Sequence, residues 1–94
     1  MLYVDILMEH GFIYRGKHTP SCHLFSDNIQ ELIATAEALK LKQNWLHKSR
    51  LLIPHFDLVE SKRKRALKLG AVELVKENYL KVMIKLKRIY CFNN

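Results

Sequence analysis

The chain has 94 residues, 49% of them apolar and 27% charged, a globular composition rather than a disordered or collagen-like one. That length supports one compact domain and excludes a second. Sixteen Lys and Arg against nine Asp and Glu leave a net charge of +7, which favours polyanionic partners or serves solubility. The charge is uneven: residues 1–60 hold six basic and seven acidic side chains, residues 61–94 ten and two. Cys22 and Cys91 have no paired spacing, so neither a disulfide framework nor a cysteine zinc cluster is expected, and a reducing compartment is. Met1 to Phe12 carries Asp5 and Glu9 without a basic lead, and its apolar run is too short for a leader or a span. The expectation is a cytoplasmic protein with no membrane partner.

In chain order, Leu2 to Leu7 is β-branched, aromatic and apolar, and predicts a buried strand with Asp5 near its end. His10 to Pro20 contains Gly11, Gly16 and the basic Arg15-Gly16-Lys17, which predicts a loop or loose hairpin. Ser21 to Ser26 is a second strand. Asp27, with Gln30 three residues on, predicts a capped helix over 28–40, where Ile29, Leu32, Ile33, Ala36 and Leu39 recur on one face. Gln43 to His47 is a short strand candidate, and Lys48 to Pro54 a basic-apolar connection whose Leu51-Leu52-Ile53 tucks under the domain. Ser61 is placed to cap a helix over 62–69 that stops at Gly70. Ala71 to Val75 reads as a last strand. Tyr79, Val82, Met83, Leu86 and Tyr90 then mark the buried face of a terminal helix, with Lys81, Lys85 and Arg88 opposite. Strands and helices alternating in this order predict an α/β domain with three helices and a mostly parallel sheet of three or four strands. Leu80 and Ile84 widen the apolar side of the last helix, as a homodimer through that helix would require.

Ligands of open α/β sheets settle at the carboxyl ends of strands, so Asp5, His23, Asp27, His47, His55, Asp57 and Ser61-Lys62-Arg63 are expected to converge. Ser61, Lys62 and Arg63 at a helix start combine free N–H groups, the helix dipole and two cations, which suits a phosphate. His55 and Asp57 lie two apart, on one face of an extended segment. They form a candidate acid/base pair with His23; no metal is expected, His55 and Asp57 with His47 or His23 being the residues that would share one. A buried Asp5 needs a partner such as Arg15, Lys62 or Arg63. Trp45, the sole tryptophan, is a candidate base platform, and Lys81, Lys85 and Arg88 a candidate polyanion or partner surface. Plainer roles exist for each: Asp27 as a cap, Trp45 as core, His23 as a hydrogen-bonded surface residue, Asp57 as a turn residue and the cations as a solvated face.

The order Tyr3-Val4-Asp5, Cys22 to Asp27, Glu31-Leu32, Ala36, Trp45, His55-Phe56-Asp57, Ser61-Lys62-Arg63 and Gly70 to Glu73 resembles the domain-of-unknown-function family numbered 4031, short phage and bacterial proteins. The resemblance spans residues 2–76, leaving 77–94 as a basic C-terminal helix. The 10–20 loop and the residues between His47 and His55 also depart from the pattern. It implies a fold and a site but no reaction, and its phage association implies a role that includes interference with host defence. No nucleophile elbow, Walker loop or dinucleotide glycine fingerprint is present, and the sequence leaves the cofactor unknown. Two functions are expected as alternatives. One is a phosphate-ligand protein recognising a nucleotide or nucleic acid segment, with phosphodiester or nucleotide hydrolysis as the economical chemistry. The other is a non-catalytic interaction protein that sequesters a nucleotide signal or binds an acidic host protein.

Overall fold

The computed structural model of the protein describes residues 1–9, 11–47 and 53–91. His10 of the expected loop and residues 48–52 of the expected connection, including Leu51 and Leu52, lie outside them. In chain order the elements are β1 (Leu2–Val4), β2 (Ile13–Tyr14), β3 (Lys17–His18), β4 (Ser21–Ser26) and α1 (Ile29–Ala38). After a 3-10 turn, Gln43–Trp45, come β5 (Phe56–Val59), α2 (Glu60–Lys68), β6 (Val72–Glu73) and α3 (Lys76–Cys91). A four-stranded sheet has the order β5-β4-β1-β6, and β2 and β3 form a separate hairpin. Its turn residues, Arg15 at φ 53° and Gly16 at φ 78°, are both left-handed, the conformation that joins two strands through two residues without splaying them.

The sheet is mixed and mostly antiparallel, which corrects the mostly parallel expectation. β1 and β5 each run antiparallel to β4, and only β1 and β6 pair in parallel. One helix between two strands returns the chain in parallel register, as α2 does between β5 and β6. Between β4 and β5 the chain makes α1 and then a further pass, in which His47 pairs antiparallel with His55. The extra pass reverses β5. The same pass replaces the expected strand at Gln43 to His47 with the 3-10 turn.

Period-two alternation assigns the two faces of the sheet. Leu2, Val4, Cys22, Leu24, Phe56 and Leu58 pack with Leu32, Ala36 and Leu39 of α1 and Ala66 of α2. Tyr3 and Phe25 face the other way and pack with Ile53, Leu74 and the α3 residues Met83 and Leu86. The basic C-terminal helix is thereby the third layer of one domain, tied down by Tyr90 Oη, which donates to Ser26 O at 2.5 Å. Leu80 and Ile84 stay on its outer side, 70% and 48% exposed.

The caps shift by one residue at α1 and by two at α2 from the sequence reading. Asn28, not Asp27, caps α1 and accepts from Glu31 N, while Glu31 accepts from Ser26 Oγ at 2.7 Å. Asp27 instead accepts from the Met1 amine and from Lys85 Nζ. α2 follows β5 directly, with Val59 at its N-cap and Ser61 in its first turn, so Ser61 is not the cap. Gly70 does end that helix in the left-handed region, at φ 101°. In urea unfolding, Leu86→Ala should lose roughly 2–5 kcal/mol as a cavity-forming substitution. Leu80→Ala should change stability by less than about 0.5 kcal/mol; equal losses would contradict the packing of α3.

Candidate metal centre

The register of three strands builds the site. His23 in the middle of β4 is paired with Asp57 of β5, and Asp5, just past β1, donates its backbone N–H to His23 O at 3.3 Å. Asp5, His23 and Asp57 therefore form one row across the sheet, on the face covered by α3. Asp5 is 9% exposed, and its carboxylate accepts both the backbone N–H of His23 and a bond from its ring Nδ1, each at 2.6 Å. Arg63 reaches Asp5 too, but through Nε to the backbone oxygen. The partner that a buried acid requires is thus the histidine across the strand.

An ionised carboxylate and a carbonyl only accept hydrogen bonds, and that rule fixes two tautomers. The proton on His23 facing Asp5 sits on Nδ1, so Nε2 is the nitrogen directed toward Asp57 Oδ1, 3.8 Å away. His55 Nδ1 donates to Ile53 O at 2.9 Å, which leaves the lone pair of the neutral ring on Nε2. One ligand atom from each of His23, His55 and Asp57 lies within 4.8 Å of the others. His47 Nε2 stands 3.5 Å from Asp57 Oδ2, with its ring stacked on that of His55 at 5.6 Å. Histidine and carboxylate ligands, each histidine oriented through its second nitrogen by a carboxylate or a carbonyl, are the donor set of zinc and related ions.

Two hollows adjoin the cluster. One, about 400 Å³, ends on Asp5 and His23 and is walled by Ile6, Leu74, Tyr79 and Leu80, with Lys76 beside it. The other, about 260 Å³, is lined by His47 and Asp57 together with Phe12, Ile13 and Trp45. A centre placed between two hollows has room for a water and a substrate, unlike a closed structural site.

The structure thus brings together Asp5, His23, His47, His55 and Asp57, and puts Trp45 beside them, 46% exposed rather than in the core. It turns Lys62 elsewhere and spends Arg63 on the Asp5 backbone oxygen and on Glu73. Lys62 Nζ donates to Leu39 O at 2.8 Å, where α1 ends, and Arg65 donates to Ala38 O beside it. Arg63 Nη2 bonds Glu73 at 2.6 Å. These cations satisfy a helix C-terminus and pin α2 to the sheet. Ser61, Lys62 and Arg63 consequently do not form the expected open phosphate cradle. Lys85, expected on a free basic face, is held by Asp27 and donates to Tyr3 Oη, whereas Lys81 and Arg88 are exposed. Sequence reasoning missed Ile53, whose contribution is a backbone oxygen, and Phe12, Ile13 and Tyr79, whose apolar side chains carry no chemical signature.

The two central histidines are shifted in opposite directions. The Asp5 hydrogen bond raises the pKa of His23 from its ordinary 6.5 against some desolvation, and burial lowers that of His55. In the ion-free protein, histidine NMR titration should find His23 protonating above 6.5 and His55 below it, and Asp5→Asn should abolish the first shift only. The linked stabilities follow in sign. The His23 contribution is complete below the unfolded value and fades as pH rises through the raised folded value. The His55 penalty grows as pH falls below 6.5 toward its lowered value. Two histidines titrating together would contradict the assigned environments.

Comparison with curated proteins and with solved structures gave no match. A family model does match, over residues 3–86: it takes in the main sheet from Tyr3 of β1 onward, every residue of the cluster and most of α3. On that match the chain belongs to the family described as protein of unknown function, DUF4031.

Proposed function

We propose that the protein is a small metal-dependent hydrolase of phosphate esters, with nucleotides or nucleic acid segments as its ligand class. The observation that carries this reading is the grouping of His23, His55 and Asp57 ligand atoms within 4.8 Å, with both rings hydrogen-bonded through Nδ1. His23, His55 and Asp57 would hold a divalent ion through one ring nitrogen each and a carboxylate oxygen. Zinc is the ion that such nitrogen and carboxylate donors favour among common divalent metals. His47, next to Asp57 and more exposed, is a proton carrier at the rim.

A bound ion of this kind supplies a hydroxide nucleophile near neutral pH and polarises a phosphoryl oxygen. The chain's own part is positional. Asp5 holds the His23 ring and raises its basicity, Ile53 O holds His55, and Asp57 supplies the negative charge that two neutral imidazoles lack. Phosphate as the ligand chemistry is supported by the net charge of +7 and by cations beside both hollows. Lys76 lines the first, and Lys42 lies over the Trp45 ring at the second. The anion contacts are thus assigned to Lys76 and Lys42, in place of Lys62 and Arg63.

Calorimetric titration with zinc, and absorption of the cobalt form, test the centre. His23→Ala, His55→Ala and Asp57→Ala should each lower zinc affinity at least as much as loss of an orienting partner does, about 10- to 100-fold, and Asp5→Asn should fall in that same range. Hydrolysis of bis(p-nitrophenyl) phosphate should require added zinc and vanish with EDTA. Zinc affinity equal to that of wild type in all four variants, or hydrolysis indifferent to EDTA, would refute the proposal.

A further inference from the structure

The hollow on the Asp57 side has a composition that the metal chemistry does not need. It shares His47 and Asp57 with the centre, and its remaining walls are Phe12, Ile13 and Trp45. Trp45 is the only tryptophan of the chain, and it sits 46% exposed in a one-turn 3-10 element between α1 and His47. Ile13, in the β2-β3 hairpin, is 61% exposed. A large aromatic ring kept at the surface beside a polar cluster forgoes burial that would otherwise be favourable, and such rings are used where a flat ligand stacks. The ammonium of Lys42 lies 5.6 Å from the centre of the Trp45 ring, so a positive charge accompanies the stacking surface. A volume of about 260 Å³ is just under the roughly 300 Å³ at which sites for drug-sized ligands begin, which suits a single heterocycle with the rest of the ligand outside.

We infer that this hollow is the base subsite of a nucleoside phosphate: the nucleobase stacks on Trp45 against Phe12 and Ile13, and the phosphate projects past His47 to Asp57 and its neighbours. The inference rests on the proposed hydrolytic centre for the fate of the phosphate, but the stacking itself does not require the ion. The larger hollow, walled mainly by aliphatic side chains on the Asp5 side, is left for the leaving group or for solvent. The ligand chemistry is common to a free mononucleotide and to the end of a single strand, and the two are separable by affinity.

The sole tryptophan makes the subsite directly readable. The full-length chain, zinc-loaded and separately EDTA-treated, is titrated with AMP, ribose 5-phosphate and a short single-stranded RNA while Trp45 fluorescence is followed. AMP should quench saturably and ribose 5-phosphate should not. By calorimetry, Trp45→Ala should weaken AMP about 5- to 150-fold, the range of base stacking on an aromatic side chain, and Trp45→Phe should restore most of the loss. RNA binding tighter than AMP, and weakened likewise by Trp45→Ala, assigns the ligand to a strand end; affinity equal to that of AMP assigns it to a free nucleotide. AMP binding without quenching, or binding equally strong in Trp45→Ala, overturns the subsite. RNA binding that salt erases identically in both forms overturns it as well, since that is backbone attraction alone. The zinc affinities of wild type and His55→Ala, measured in parallel, separate this outcome from the fate of the centre. Saturable quenching that persists in EDTA upholds the subsite even where zinc fails to bind.

Discussion

The bond between Asp5 and His23 connects the fold to the chemistry. A carboxylate beside a hydrophobic strand is costly unless its oxygens are satisfied, and here one oxygen takes the backbone N–H of His23 and the other faces its ring, both at 2.6 Å. That geometry exists only while β1 and β4 hold their register, Val4 against Leu24. A slip of one residue would send Asp5 and His23 to opposite faces. The same register that buries Val4 and Leu24 against α1 and α2 thus aims the imidazole at Asp57. Packing on one side of the sheet specifies the site on the other.

The electrostatics are divided along similar lines. The C-terminal third carries most of the positive charge, yet much of α2's share is consumed inside the protein. Lys62, Arg63 and Arg65 end on carbonyls of Leu39, Asp5 and Ala38, and Arg63 also on Glu73. Such bonds close the C-terminus of α1, which would otherwise leave carbonyls unpaired, and they brace the strand that carries Asp5. On the proposed reading, the cations beside the candidate centre are Lys42, before the 3-10 turn, and Lys76, at the start of α3.

His23, held by a carboxylate, and His55, packed against the Phe25 ring and bonded to Ile53 O, have environments that push their protonation apart. Opposite shifts in adjoining imidazoles are a recurrent feature of sites that move protons or hold metal. The pair is asymmetric for a structural reason: one ring stands at the edge of a hollow and the other underneath it.

The sequence alone determined the period-two strands, the amphipathic α1 and α3, the glycine stop of α2 and the list of chemically competent residues, because each depends on neighbours within one turn or one strand. His55 and Asp57, two apart, share a face once that segment is extended, as it is at β5. Tertiary structure decided the rest. The direction of β5 depends on the extra pass through Trp45 and His47, a path that no local propensity encodes. The caps moved from Asp27 to Asn28 and from Ser61 to Val59, since tertiary partners competed for Asp27 and β5 ran straight into α2. Lys62 and Arg63 turned inward because the end of α1 lay within reach, and the convergence of Asp5, His23, His55 and Asp57 needed three strands in fixed register. Short-range periodicity is written in the chain, whereas the acceptor that a long cationic side chain finds, and the strand that lies beside another, are set by distances known only once the chain has folded.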